Sequence, residues 1–297
     1  MDRKIEKRRV YDPYFLLLPS LVFILVFLAY PLCRVVYLSF QNYNPSKPYY
    51  NGFAGLENFK KLFTSAKFFQ TLSISGKWVV SEVFLQLLFG MGIALALNCN
   101  FRGRGMIRTI TFIPWALSGV LTSVLWSLIY NENMGVLNDL MMKMHIIDNP
   151  VAWLGKGSLV FGSVIIAELW RGIPFFAITM LAAMQSIGND LYEAAEIDGC
   201  GRIKKFFFIT LPLLTEQIIL TTLLRAVWEF NSVDLIYCLT GGGPAGKTTT
   251  LSMYIAEQAI RTSNYGYGSA ISVVSFLILT LFALGYLKIT KFLEGNQ

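Results

Sequence analysis

Long uninterrupted apolar runs alternate along this chain with shorter segments rich in Gly, Pro, Asn, Tyr and charge. Residues 13–33 hold 21 positions without a charge, and a helix needs about 20 apolar residues to cross a hydrocarbon core. Runs of similar character recur further on. Together they predict six membrane-spanning helices at about residues 13–37, 77–98, 106–130, 158–184, 211–239 and 265–287. An all-α architecture follows, because a helix satisfies its own backbone hydrogen bonds where no water can. The first run lacks the short apolar core and small-residue cleavage site of a signal peptide, so it is expected to remain in the chain.

Composition supports the membrane reading. Hydrophobic residues make up 55% and charged residues 14%, against about 25% charged in a soluble domain. The length of 297 residues would otherwise suggest two soluble domains; here it reads as one membrane domain over 13–297 behind a short cytoplasmic N-terminus, 1–12.

The net charge of +7 could signal nucleic-acid binding, but the basic residues lie between apolar runs. Six spans put both termini on one side. Arg3, Lys4, Lys7, Arg8, Arg9, Arg102, Arg104, Arg108, Arg202, Lys204, Lys205, Lys288 and Lys291 give that face 13 basic residues against 8 on the other, which makes it cytoplasmic. The outer cluster Lys60, Lys61 and Lys67 runs against this assignment. Cys33, Cys99, Cys200 and Cys238 are widely separated and His145 stands alone, so no metal site, disulfide framework or histidine-based catalysis is expected, and no cofactor.

Three longer segments, about 39–76, 131–157 and 240–264, are expected outside the membrane as loops with short interfacial helices. Trp115, Trp126 and Trp153 read as interfacial anchors flanking the spans. Gly241 to Thr248 satisfies the phosphate-loop pattern G-x-x-x-x-G-K-[ST], but such a loop needs a strand before it and a helix after it inside an α/β domain. No room for that domain exists, so Gly241-Gly242-Gly243-Pro244 reads as the loop ending span five.

The inward segment 188–208 is too long for a connector. Asp190, with Glu193 three residues on, is expected to cap a short helix on which Leu191, Ala194 and Ala195 form a small apolar patch. Gly199 and Gly201 would end it, and Pro212 could open span five. Such a helix is either an ordinary interfacial helix or a knob for a partner's groove.

Glu193-Ala194-Ala195, three residues, Gly199, nine residues, Ile209, one residue and Leu211-Pro212 resemble the EAA signature of the membrane subunits of binding-protein-dependent ABC importers. Gly55-Leu56-Glu57-Asn58-Phe59, Gly103-x-Gly105-x-x-Arg108, Leu239-Thr240-Gly241-Gly242-Gly243-Pro244 and Tyr265-Gly266-Tyr267-Gly268-Ser269-Ala270 are similar to the maltose-, lactose- and multiple-sugar-type branch. Cys200, where Ala is usual, and Thr215, where Pro is common, depart mildly.

The resemblance implies a type I importer permease with a MetI-like core of six spans, in a bacterial or archaeal plasma membrane. It implies a second permease subunit, an ATPase dimer that holds ATP and Mg, and an extracytoplasmic solute-binding protein; this chain would hydrolyse nothing. It gives the ATPase-coupling role to Glu193 and Gly199, with Ala194, Ala195 and Asp198 in support.

Charges within spans are costly and face a partner or an aqueous path. Glu168 with Arg171, and Arg225 with Glu229, could each pair along one helix face. Alternatively Arg171, Gly172, Phe175, Arg225, Trp228, Glu229 and Ser232 line a substrate path, with Asn231 and Asp234 as further polar candidates. An aromatic ring would stack on a sugar while polar groups meet its hydroxyls; an extra Arg would suit an acidic sugar, a sugar phosphate or glycerol phosphate. A secondary transporter also fits six spans, but it needs no structured cytoplasmic knob, and no inverted repeat is visible.

Overall fold

A computed structural model describes residues 16–294, so the N-terminal basic cluster and the first residues of span one lie outside it. Four helices are long and apolar enough to cross a membrane: Leu16–Ser39 (α1), Ala66–Asn98 (α3), Val160–Gln185 (α7) and the apolar part of the last helix, Tyr265–Thr290. Two bent pairs bring the total to six if each is one span.

The bent pairs fall at the spans expected over 106–130 and 211–239. In the first, Arg104–Phe112 (α4) runs through a tight turn at Ile113–Ala116 and meets Gly119–Ile129 (α5) at 99°. Pro114 lacks the amide needed to continue the helix. Ser118 restarts it, its hydroxyl accepting from the Leu121 amide at 3.3 Å. In the second, Arg202–Leu213 (α9) meets the following helix at 65°. Pro212 therefore sits at the end of α9, just before the bend, and α10 (Thr215–Asn231) starts afresh; Asp234–Leu239 (α11) follows a further break at Ser232 and Val233. The second span also begins eleven residues before the expected Lys77, because Ala66–Asn98 is one helix of 33 residues.

Chain contacts divide the molecule into two units. One holds the chain up to Ser65 and Ile255–Ile278. Here α1 leads into an antiparallel pair of two-residue strands, Gln41–Asn42 and Gly52–Phe53, and then α2, Glu57–Thr64. Buried Asn58 holds this junction by donating to the Ser39 carbonyl at 3.1 Å and the Gln41 carbonyl at 2.9 Å. Lys61 lies over the Tyr267 ring at 5.0 Å, a cation–π contact.

The other unit comprises Ala66–Tyr254 and the chain from Leu279. Its core is the pair α3 and α7. They approach so closely at Gly90 that a Cβ there would lie 2.5 Å from the Phe176 Cβ. Trp78, Val160, Val164, Ala167, Leu235 and Ile236 bury one end of the packing, and Met91, Ala94, Met180, Met184 and Leu214 the other. α6 (Val136–Lys143) and α8 (Asn189–Ile197) complete this unit's short helices, while α12 (Leu251–Ile260) and α13 (Tyr265–Glu294) run from one unit into the other.

The glycine-rich loop is preceded by helix α11, not by a strand, and is tied to itself. The Thr240 and Thr248 hydroxyls are 2.8 Å apart, and Thr249 donates to the Gly242 carbonyl at 3.0 Å. It ends span five, as the sequence suggests.

Candidate functional site

Three helices of this unit each deliver charged or polar side chains to one buried point. On α7, Arg171 grips Glu168 with two hydrogen bonds, Nε to Oε2 at 3.0 Å and Nη2 to Oε1 at 2.8 Å. On α10, Arg225 Nη2 reaches Glu168 Oε1 at 3.0 Å and Glu229 Oε1 at 2.6 Å. The two intrahelical pairs thus form, and they fuse across helices.

The third contributor is α3, which sequence reasoning passed over. Gln86 accepts from Arg225 Nε at 2.7 Å and donates through Nε2 to Glu82 Oε2 at 2.9 Å and Glu229 Oε1 at 3.0 Å. Glu82 is 0% exposed. A signal existed: a lone carboxylate in an apolar run has to find its partner on another helix.

Gly172 is where this network passes closest to a backbone. A Cβ there would lie 2.3 Å from Gln86 Nε2 and 2.5 Å from Arg225 Nη2, so no larger residue fits unless the network moves. Three carboxylates face two guanidiniums, and the formal sum is −1. Each arginine is paired with a carboxylate of its own chain, Arg225 buried and Arg171 part-exposed.

An aromatic group stands beside the charges. The Phe175 ring lies between Trp115, stacked with centroids 6.5 Å apart, and Trp228 at 5.2 Å, with the Arg225 guanidinium 5.9 Å away. Trp115 is therefore at the bend of its span, packed on Phe175, and not an anchor at the span's end. Trp126 and Trp153 do cluster with Tyr130 beyond it. Trp115 and Trp228 remain 47% and 44% exposed. Ser232 lies at the break after α10, its hydroxyl 3.5 Å from Asp234 Oδ1. The expected path residues thus separate. Arg225, Glu229 and Gly172 are buried structure, Arg171 is half-buried, and Phe175, Trp228 and Trp115 form an open apolar surface.

Segment 188–208 also differs in detail from expectation. Helix α8 starts after Gly188 with no side-chain cap, and Asp190 lies in its first turn with its carboxylate folded over Gly188. The capping box is absent. At the other end, Gly199 adopts φ +74, the Cys200 amide donates to the Ala195 carbonyl at 2.8 Å and the Gly199 amide to the Glu196 carbonyl at 3.0 Å. That pair of bonds is the Schellman stop.

Ala195 is buried, and on the same side Tyr192 bonds Thr210 at 3.0 Å. Ala195 therefore packs into its own chain, while Leu191, Glu193, Ala194, Ile197 and Asp198 point out. The Lys205 ammonium bonds the exposed Glu196 carboxylate and, by that hydrogen bond and its charge, holds it below the usual carboxylate range.

A family model described as binding-protein-dependent transport system inner membrane component matches residues 86–292. The chain belongs to this family of transport permeases. Relatives include the trehalose/maltose transport system permease MalF of Thermococcus litoralis, 35% identical over 98% of each chain. Another is the sulfoquinovosyl glycerol permease SmoG of Agrobacterium fabrum, 32% identical over 93% of this chain and 89% of the relative. A solved bacterial ABC transporter for import of the acidic polysaccharide alginate matches with TM-score 0.84 and 22% identity over 98% of this chain and 99% of that one, which shows that the permease fold is shared. Gln86 is the first residue of the family match, and Glu82 precedes it.

Proposed function

We propose that this permease forms half of the translocation path of an ATP-driven importer of neutral carbohydrate. The observation that carries the reading is the exposed Trp115–Phe175–Trp228 surface beside a charge network that satisfies its own cations. Flat apolar rings suit the apolar face of a sugar, and guanidiniums already paired with carboxylates of the chain offer an anionic ligand little uncompensated positive charge. The names of MalF and SmoG support carbohydrate derivatives as the class.

In this reading the segment with α8 is cytoplasmic, as are both termini, and its outward face docks on an ATPase dimer that holds ATP and Mg. A second permease and an extracytoplasmic binding protein complete the assembly. Coupling follows from how α8 is tied. Ala195, the Tyr192–Thr210 bond and the Lys205–Glu196 pair join it to the base of α9, so a displacement of α8 moves the spans with it.

Uptake by the reconstituted complex tests this directly. A neutral disaccharide should enter only with ATP and binding protein, and Trp228→Ala should reduce that uptake by up to about tenfold, the scale of one lost ring contact. Equal uptake of a uronate oligosaccharide would sink the neutral-ligand reading, and uptake without ATP would favour a secondary transporter.

A further inference from the structure

The buried network holds one acid more than it has bases. Glu168 accepts twice from Arg171 and is also paired with Arg225, and Glu229 is paired with Arg225. Glu82 takes part in none of these ion pairs; its donor is the neutral Gln86 amide at 2.9 Å. The charged groups around it are Glu229 and Arg225 from α10 and Glu168 and Arg171 from α7, the two helices that pack on α3. No cation is left over for the third carboxyl group, and Glu82 is fully buried. A carboxylate held away from water without a partner is so costly that such a group takes up a proton instead.

Hydrogen bonding supplies a second, independent sign. Two carboxyl oxygens of the network are buried without a partner, Glu82 Oε1 and Glu229 Oε2. One amide holds both acids: Gln86 Nε2 donates to Glu82 Oε2 at 2.9 Å and to Glu229 Oε1 at 3.0 Å, which spends both of its hydrogens. The two carboxyl groups therefore lie no further apart than those two bonds laid end to end. Ionised, both are acceptors only. A hydrogen on Glu82 Oε1 turns one unfilled acceptor into a donor, leaves Glu229 Oε2 as the acceptor it can serve, and removes the surplus charge.

A metal ion suits the place poorly. Calcium and magnesium gather six or more oxygens, whereas the network leaves two, and among the described residues no group of side chains could hold a metal ion. The packing is also tight, since even a methyl group on Gly172 would strike Gln86 and Arg225.

We infer that the permease binds one proton in its interior, carried by Glu82 within the Glu82–Gln86–Glu229 group. Two carboxylates then face two guanidiniums, and α3, α7 and α10 close around a neutral network. Loss of the proton at alkaline pH leaves an unpaired carboxylate beside two others and loosens the joint between the three helices.

Infrared spectroscopy of the assembled transporter in lipid tests this, because a carboxylic acid and a carboxylate absorb in separate bands. At neutral pH the difference between wild type and Glu82→Gln should show the carbonyl band of one protonated carboxyl group per permease. Isotope-labelled glutamate should move that band; exposed glutamates are ionised at this pH and do not contribute. Gln copies the shape and neutrality of the protonated acid, so the variant should assemble and take up substrate as the wild type does. At more alkaline pH the band should fade and wild-type uptake fall with it, while uptake by Glu82→Gln stays level.

The absence of such a band at neutral pH would overturn the inference, since both acids would then be ionised. So would a band that sodium, potassium or magnesium removes, because a metal ion would be the occupant. Failure of Glu82→Gln to assemble where Glu82→Asp succeeds would also overturn it, by showing that the charge is needed. Should neither variant assemble, the labelled-glutamate band of the wild type decides by its presence or absence. The band is read without transport, so the functional reading can fail and leave this measurement standing.

Discussion

Gly199 stops α8 at φ +74, and a Cβ built on it meets nothing within 4 Å. The cost of a side chain there is therefore purely conformational. A left-handed conformation costs a non-glycine residue about 1–2 kcal/mol, so Gly199→Ala should lower the population of the stopped helix about five- to thirtyfold. Gly199→Val, β-branched, should reach about 3 kcal/mol. Gly199→Asn should cost less than about 1 kcal/mol, because Asn tolerates this region. ATP-driven uptake and recovery of the ATPase with the purified permease should both fall in the order Gly, Asn, Ala, Val. Equal losses for Asn and Val would refute the reasoning, since a volume-dependent or uniform loss would mean that position 199 acts by touching the ATPase and not through its backbone angle.

Three further expectations concern the interior and the coupling segment. Gly172→Ala pushes a methyl into Gln86 and Arg225 and should destabilise by about 1–3 kcal/mol, read as a lowered unfolding temperature in detergent; an unchanged temperature would show that the network is loose. Glu168→Gln removes the carboxylate shared by both arginines and should cost about 3–5 kcal/mol. Glu82→Gln leaves two carboxylates for two guanidiniums and should be much milder, and the reverse ranking would contradict the charge count. Glu196 has its pKa lowered by Lys205, so that tie is fully present above about pH 4.3 and is lost only as pH falls further. The effect of Lys205→Met on uptake should accordingly be the same at pH 6 and pH 8.

Length and hydropathy locate the spans because a bilayer fixes how many apolar residues a helix needs, but hydropathy carries no direction. The 99° and 65° bends are therefore invisible to it, although Pro114 and Pro212 mark their neighbourhoods. The Glu168–Arg171 and Arg225–Glu229 pairs are legible as local spacing. Their fusion through Gln86 is not, because it depends on which faces of α3, α7 and α10 meet. The sequence groups Leu191, Ala194 and Ala195 as one apolar patch of the short helix; the fold turns Ala195 inward with Tyr192 and leaves Leu191 and Ala194 outward. Trp115 illustrates the same limit, since an aromatic near a span end and one at a bend have similar sequence surroundings.

The buried charges gain their meaning from the breaks around them. A span broken at Leu117 and Ser118, and another broken at Leu214 and again at Ser232 and Val233, would transmit little force if each segment were free to swivel. The network joins α3, α7 and α10 by hydrogen bonds that cannot be exchanged for water without exposing carboxylates to the apolar interior. Those three helices are thereby held as one body. The breaks lie outside it, on the far sides of Phe175 and Trp228 and above the α9 base to which α8 is tied. A push on α8 should then move a rigid core against hinged neighbours. On the proposed coupling the charged residues belong to the lever and the aromatic residues to the surface it would open and close, so their substitutions should separate: loss of stability for Gly172 and Glu168, loss of uptake in a folded transporter for Trp228.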